Sequence, residues 1–144
     1  MDKKKIVNLV VFLIVIFIVF GVLYNFIKKG IDLSKLNNLY KDISILDERI
    51  SIYYLNNGDI PIKGEEIEFY NSINPNDNEQ FYELNLEMLE NLSLNYGNRE
   101  LGEDDFYIIN KQSHTIYYKK GVSYNGLHYT RNLKYEKVKF RDSL

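Results

Sequence analysis

Three consecutive acidic residues are the first candidates for chemistry in this chain of 144 residues. Glu103, Asp104 and Asp105 follow Gly102, and hard carboxylate oxygens are the ligands that calcium prefers. The stretch lacks the alternating Asp/Asn pattern and the fixed spacing of known calcium loops. We therefore expect a solvated turn at this position rather than a metal site.

The two histidines offer little catalytic or metal-binding chemistry. His114 and His128 fall in stretches that we predict to be β-strands, and two histidines without a cysteine make a poor zinc site. Asp104, His114 and Ser123 have the residue types of a nucleophilic triad, but nothing in their spacing supports one. The chain has no cysteine, which excludes thiol nucleophiles and disulfides. We predict no catalytic residue, no cofactor and no metal, and hence a protein that is not an enzyme.

Binding chemistry is concentrated in the basic, tyrosine-rich C-terminal part of the chain. Residues 106–144 carry eight basic and two acidic residues, a net charge of +6, whereas residues 59–105 carry two basic and thirteen acidic residues, a net charge of −11. The simpler interpretation is that these parts form separate solvated faces or face each other. The sharper one is a sheet surface that binds an anionic surface polymer or a partner protein. Its candidate residues are Lys119, Lys120, Lys134 and Lys137.

Neighbouring tyrosines have the same two interpretations. Tyr117, Tyr118 and Tyr124 have aromatic faces that stack on sugars or bases, yet an aromatic sheet core explains them more simply. We expect the core, and we expect no nucleic-acid partner.

The elements that must position these residues begin with an apolar run at residues 6–27. Its sequence, IVNLVVFLIVIFIVFGVLYNFI, contains no charged side chain. A helix of this length covers ~33 Å, which is enough to cross the hydrocarbon core of a bilayer. Lysines flank it at positions 3–5 and 28–29, with the slight excess on the N-terminal side. We predict a single-pass helix held in membrane lipid, with a cytoplasmic stub at residues 1–5 and an extracytoplasmic remainder.

A second apolar pattern occupies residues 28–57. Apolar side chains recur there at steps of three and four and define one stripe of an amphipathic helix, formed by Leu36, Leu39, Ile43, Leu46, Ile50 and Tyr53. Asn56-Asn57-Gly58 has the composition of a helix C-terminus, with Gly58 suited to a left-handed cap. We predict one helix over residues 6–57 whose second half packs on the protein's own sheet. Packing of the stripe against another subunit is the alternative.

Residues 58–144 are predicted to form one small extracytoplasmic α+β domain. Residues 66–69 fit a short strand or an extended loop, residues 71–78 fit a loop, and residues 81–84 fit either a strand or a helix. Residues 86–92 are expected to form a short helix capped by Asn85. An antiparallel sheet is expected from about residue 106, with hairpins at residues 106–118 and 122–129 and a last strand between Leu133 and Phe140. Asn125-Gly126 is a strong signal for the turn of the second hairpin. The predicted fold class is therefore α+β, a long N-terminal helix packed on a C-terminal antiparallel sheet.

This layout resembles that of type IV pilins and type II secretion pseudopilins. Residues 52–61, IYYLNNGDIP, are similar to the aromatic–x–x–Asn–Gly–x–x–Pro ending of the long pseudopilin helix. Residues 106–109, FYII, and 115–122, TIYYKKGV, are similar to the sheet of pilin-like proteins from low-GC Gram-positive bacteria. The resemblance implies a structural or accessory role in a pilus or secretion assembly, with pilin-like or secretion subunits as partners.

The chain departs from the family's pattern at two positions. The family has a small residue, usually Gly, immediately before the apolar run, where its peptidase cleaves, and this chain has Lys5. The family also has a Glu at the fifth position of the mature helix, which corresponds to Val10 if Ile6 is the first mature residue. We therefore expect a pilin-like fold on an uncleaved anchor. The alternative is a membrane-tethered extracytoplasmic binding module with no role in assembly.

Overall fold

The computed structural model of the protein describes residues 2–69 and 78–131. A long helix, α1, is followed by short strands and one turn of 3-10 helix at Leu86–Met88. This is the α+β layout predicted from the sequence, a long N-terminal helix packed on an antiparallel sheet. The described elements are α1 (Lys3–Asn57), β1 (Ile62–Ile67), β2 (Phe81–Leu84), β3 (Tyr107–Asn110), β4 (Ile116–Tyr118), β5 (Val122–Tyr124) and β6 (Leu127–Tyr129).

Helix α1 is one continuous element of 55 residues. It begins after Asp2, whose side chain accepts a hydrogen bond from the backbone N–H of Lys4. It ends at Gly58, which has φ 72° and donates its backbone N–H to the carbonyl of Tyr54 at 2.8 Å. Glycine adopts this left-handed conformation without strain, and the predicted role of Gly58 as the cap is confirmed.

Strands β1 to β4 form one antiparallel sheet in the order β1-β2-β3-β4. The sheet thus begins at Ile62, well before residue 106, where the sequence led us to expect it. The reason lies in β1, where Gly64 has φ 77° and the pairing register with β2 shifts between Lys63 and Ile67. The residues between the two ends of β1 are exposed. Such a bulge removes the alternation of apolar and polar residues by which a strand is identified.

The prediction of a helix at residues 86–92 is wrong beyond its first turn. Asn85 does cap a helical turn, since its side chain accepts the N–H of Glu87 at 3.2 Å. The chain then becomes extended at Leu89 and left-handed at Asn91. Leu89 is buried in the core and Leu92 packs against it. The spacing of these leucines therefore results from the packing of an irregular segment on the core and not from a helix.

Both predicted hairpins are present. Strands β3 and β4 pair with Ile108 opposite Tyr117, and β5 pairs with β6 in a separate two-stranded sheet. Asn125 and Gly126 have φ 52° and 74°, as the predicted turn requires. The predicted strand from Leu133 to Phe140 and nearly all of the predicted loop at residues 71–78 lie outside the described residues.

The main core lies between α1 and one face of the four-stranded sheet. Five residues of the stripe are buried there, namely Leu36, Leu39, Ile43, Leu46 and Ile50, while Tyr53 is half-buried against the same core. The sheet contributes Tyr107, Ile109, Ile116 and Tyr118. The stripe therefore packs within the protein, and full burial of each aliphatic side chain contributes about 1.5–3 kcal/mol.

Candidate functional site

The N-terminal half of α1 is an apolar surface that no described part of the protein covers. Every residue from 6 to 27 is exposed except the half-buried Ile16, and Phe26 is 79% exposed. The most apolar part of this helix is 0% buried. Among the described residues it is the one helix that is long and apolar enough to cross a membrane.

Exposed lysines lie at both ends of this surface. Lys5 precedes the apolar run and Lys28 follows it, which places the two α-carbons ~35 Å apart along the helix axis. Tyr24 is exposed one turn before Lys28. An apolar length bracketed by cations, with an aromatic residue near one end, matches the hydrocarbon core and headgroup layers of a bilayer.

A buried carboxylate attaches the rest of the domain to the second half of α1. Asp42 is fully buried among the stripe residues. Its oxygens accept the backbone N–H of Asn95 at 2.9 and 3.0 Å, the backbone N–H of Tyr96 at 2.8 Å and the hydroxyl of Tyr107 at 2.8 Å. The side-chain amide of Asn95 donates to the same carboxylate at 3.0 Å. One helix residue thus holds both a loop and strand β3.

A second buried carboxylate, that of Asp105, holds the other end of the same loop. The expectation of a solvated turn at residues 103–105 is therefore wrong for Asp105. Glu103 and Asp104 are exposed, but Asp105 is fully buried. Its carboxylate accepts the N–H of Gly97 at 2.7 Å and the hydroxyl of Tyr118 at 2.5 Å. It also accepts the N–H of Leu101 at 3.3 Å. The carboxylate is therefore occupied by protein donors, and no group of three His, Asp or Glu that could hold a metal occurs among the described residues.

Burial and hydrogen bonding have opposite effects on this carboxylate. Burial of Asp105 alone raises its pKa, but the hydrogen bonds from Tyr118, Gly97 and Leu101 and the nearby charge of Lys120 lower it. The net pKa of Asp105 lies below its ordinary value. Asp105 therefore stays ionised and accepts hydrogen bonds across the neutral pH range.

Tyr118 belongs to this network and is a buried core residue, as predicted. Tyr117 is also buried, as predicted, but in a separate cluster with Phe81 and Ile108, and Tyr124 is half-buried. The Tyr118 ring lies 5.1 Å from that of Tyr96 and 5.2 Å from that of Tyr107. Burial, followed by the interaction with Asp42, raises the pKa of Tyr107 far above its ordinary value. Burial, followed by the hydrogen bond to Asp105, does the same for Tyr118.

Two of the four candidate surface lysines, Lys119 and Lys120, lie in the part of the chain that the structure describes. Lys119 is half-buried and its backbone N–H donates to the carbonyl of Phe106 at 2.9 Å. The Lys120 side chain donates to the carbonyl of Leu101 and so fixes the loop before β3. Lys134 and Lys137 lie outside the described residues.

The two histidines have different neighbours. The His114 ring lies 4.7 Å from that of Tyr54 at the C-terminal end of α1. His128 Nδ1 lies 3.4 Å from the hydroxyl of Ser123. Asp104 is exposed in the loop before β3, and no hydrogen bond joins it, His114 and Ser123 within the described ranges. The structure therefore does not assemble the triad that these residue types suggest.

An open cleft of about 450 Å³ lies at the start of β1 and the end of β2, and the sequence pattern did not predict it. The charged residues Lys63, Glu83, Glu87 and Arg99 lie on its rim, and Leu84, Leu86, Leu92 and Leu94 line it. The available signal was a charge anomaly, because Lys63 and Arg99 are the two bases in the otherwise acidic stretch of residues 59–105. We refer to it as the Arg99 cleft.

Comparison of the chain with protein-family models, with curated proteins and with solved structures finds no match.

Proposed function

We propose that the protein is a single-pass, membrane-anchored, pilin-like structural or accessory subunit of a pilus or secretion assembly. The observation that carries the proposal is the division of α1 into two halves. The first half, residues 6–27, is apolar all round and covered by no described residue, whereas the second half is packed on the sheet through the stripe. A helix that emerges from lipid and continues through a globular domain positions that domain rigidly against neighbouring subunits.

The physical argument for the anchor is the cost of exposing the first half of α1 to water. Leaving a Val, Leu, Ile or Phe side chain in water rather than in an apolar medium costs about 1.5–3 kcal/mol. Eighteen of the 22 residues of the run are of these types. The hydrocarbon chains of a bilayer provide an apolar medium for these side chains. A helix forms its backbone hydrogen bonds internally and therefore leaves no polar backbone group exposed to lipid.

The proposed orientation places residues 1–5 in the cytoplasm and residues 28–144 outside. Lys3, Lys4 and Lys5 lie on the proposed inner side, against Lys28 and Lys29 on the outer side. A short cationic N-terminus is usually retained in the cytoplasm.

The pilin-like role is supported by the layout and restricted by two residues. The continuous helix, the Gly58 cap and the antiparallel sheet agree with the resemblance noted in the sequence. Lys5 and Val10 stand where the family has its cleavage-site small residue and its assembly Glu. The proposed subunit therefore remains attached to its anchor and acts as an accessory component.

The test is to crosslink membranes of the cells that make the protein, and to weigh the protein after extraction. We expect crosslinks to pilin-like or secretion components, and a mass that includes the residues before Ile6. A sample without crosslinker and an unrelated single-pass protein serve as controls. Crosslinked membranes that contain the protein only as a monomer would contradict the assembly role.

A membrane-tethered binding module is the second candidate function, and the Arg99 cleft favours it. The cleft combines a charged rim with leucine side chains, which is the usual composition of a recognition site. A monomer in crosslinked membranes together with ligand binding in the cleft would support this function over the first.

A further inference from the structure

Arg99 is held in a fixed position on the rim of the cleft. Its guanidinium donates to the carbonyl of Glu103 at 2.8 Å and to the carboxylate of Glu83 at 2.5 Å, and lies 4.7 Å from the centroid of the Phe106 ring. Its backbone has φ 64°, a conformation that a non-glycine residue rarely adopts. A guanidinium has more N–H donors than these two contacts use, so it can still bind an additional acceptor.

Lys63 provides a second cation at the same rim. It pairs with Glu83 across the β1–β2 ladder, so both side chains project on the same side of the sheet. Lys63 is exposed and forms no ion pair in the described ranges 2–69 and 78–131. Glu83 therefore lies beside Arg99 and opposite Lys63, and the carboxylate of Glu87 also lines the cleft.

The contact between Glu83 and Arg99 is weak enough to be exchanged. The Arg99 side chain is 48% exposed and that of Glu83 is 20% exposed. Ion pairs this accessible to water add little to stability, because solvent screens them and both side chains lose conformational freedom. A second carboxylate that reaches Arg99 and Lys63 therefore meets little competition from the native contact.

Leucine side chains next to these cations define the rest of the ligand. Leu86, Leu92 and Leu94 are half-buried and line the cleft beside the charged rim. A ligand that fits both parts carries a carboxylate and an adjacent aliphatic or aromatic group. The volume lies within the range of small-ligand and side-chain pockets, and the open side leaves room for a chain to continue beyond the cleft.

We propose that the Arg99 cleft binds an acidic, hydrophobic peptide segment of a partner protein. An Asp or Glu carboxylate of the segment binds Arg99 and Lys63, and a neighbouring apolar side chain packs on the leucines. Charge-assisted hydrogen bonds fix the register and burial of the apolar group adds affinity. Glu83 acts as an internal competitor that keeps Arg99 in position when the cleft is empty. The proposal is independent of the membrane topology and of any assembly role.

The test uses the full-length protein in nanodiscs of zwitterionic lipid and two blocked peptides, acetyl-Leu-Glu-Leu-amide and acetyl-Leu-Gln-Leu-amide. Binding is followed through the NMR signals of the Gly97, Asn98 and Arg99 amides. We expect saturable shifts with the Glu peptide and at least roughly tenfold weaker binding of the Gln peptide, because only the former has a carboxylate.

Three variants separate this role from a merely structural one. Lys63→Gln weakens binding of the Glu peptide roughly fivefold to tenfold, whereas Glu83→Gln strengthens it roughly threefold by removing the competitor. Lys41→Gln, the same charge change on the exposed face of α1, leaves binding unchanged. A merely structural ion pair gives no gain of affinity in the Glu83 variant.

The proposal is overturned by any of three results. One is the absence of shifts at those amides with the Glu peptide at about 10 mM, a concentration that detects even very weak binding. Another is equal binding of the Glu and Gln peptides, which removes the role of the cations. The third is binding of free hexanoate as tightly as the peptide, which identifies a small-molecule carboxylate site instead.

Discussion

Asp42 is the residue on which the attachment of the domain to α1 depends most. Its carboxylate is fully buried and accepts hydrogen bonds from four donor groups of Asn95, Tyr96 and Tyr107, all within 3.0 Å. Replacement of Asp42 by Asn removes the charge and so weakens every one of these bonds. It also replaces one acceptor oxygen by an NH2 group, which cannot accept a hydrogen bond from the donors that face it.

We therefore expect Asp42→Asn to lower the free energy of unfolding by about 3 kcal/mol, measured by denaturant unfolding in detergent micelles. Glu48→Gln, an exposed residue of the same helix, is the matched control and should change stability by less than about 0.5 kcal/mol. Equal, small effects of both substitutions would show that Asp42 does not hold the loop.

The raised pKa values of Tyr107 and Tyr118 predict loss of stability in alkali. Both hydroxyls donate to buried carboxylates, so the pKa of each lies above the ordinary value in the folded state. The folded state then binds protons more tightly than the unfolded state. Its extra stability is present below the ordinary tyrosine pKa of about 10 and is lost as the pH rises above it.

Absorbance at 295 nm should therefore rise in two phases as the pH increases. The later phase is the ionisation of Tyr107 and Tyr118, which should occur only together with loss of far-ultraviolet helix signal from the domain, because buried carboxylates hold both hydroxyls. Tyr107→Phe should reduce the amplitude of the second phase. A single phase centred near pH 10 with the helix signal intact would contradict the buried, hydrogen-bonded state of these tyrosines.

These roles of single residues were largely hidden in the sequence. Periodicity identified the stripe because burial repeats with the helical period, whereas Asp42 interrupts that pattern and resembles any exposed helix acid until its partners are known. Those partners lie more than fifty residues away along the chain. Asp105 likewise looked like a loop acid, and only the structure shows that Gly97 and Tyr118 enclose it.

Among the elements, the loop that carries residues 95–105 has a tight backbone constraint at Gly97. Gly97 has φ 95°, and a methyl group at its α-carbon would lie 2.5 Å from the Tyr107 ring. Gly58, which ends α1, also has positive φ but has no atom within 4 Å of that position. Substitution of Gly58 by Ala therefore introduces backbone strain alone, whereas substitution of Gly97 by Ala introduces both backbone strain and steric overlap.

We expect Gly97→Ala to destabilise the protein by about 3 kcal/mol or more and Gly58→Ala by about 1 kcal/mol, measured as shifts of the unfolding midpoint. Both variants should retain the helix signal at low temperature. If Gly97→Ala proves no more damaging than Gly58→Ala, the loop does not pack on Tyr107 as the structure has it.

Elements with strong local signals could be predicted, and elements fixed by tertiary contacts could not. Helix α1 and the β5–β6 hairpin follow from helical periodicity, a glycine cap and Asn125-Gly126. Strand β1 was obscured by its bulge at Gly64. The segment at residues 86–92 has leucines at helical spacing, but it leaves the helical conformation because Leu89 and Leu92 pack on a core that no local pattern reveals.

For the molecule as a whole, the boundary along α1 is the central feature. The buried residues of this helix begin at Leu36, so residues 6–27 contribute nothing to the core of the domain. The domain and residues 6–27 therefore share one helix but differ in their surfaces, because the first half of α1 leaves its apolar side chains exposed. Composition alone predicted this boundary, since the run has no charge before Lys28. What the domain binds was not predictable, because the Arg99 cleft forms only when residues 63, 83 and 99 meet.

The absence of cysteine from the sequence makes the proposed membrane anchor directly testable by cysteine labelling. Single cysteines are introduced by Lys4→Cys, Phe17→Cys and Ser93→Cys, and intact cells are treated with a membrane-impermeant maleimide. We predict that the Ser93 variant is labelled at once and the Lys4 variant only after the cells are permeabilised. The Phe17 variant should be labelled only after denaturation in detergent. Labelling of the Phe17 variant in intact membranes as fast as the Ser93 variant would contradict the membrane anchor.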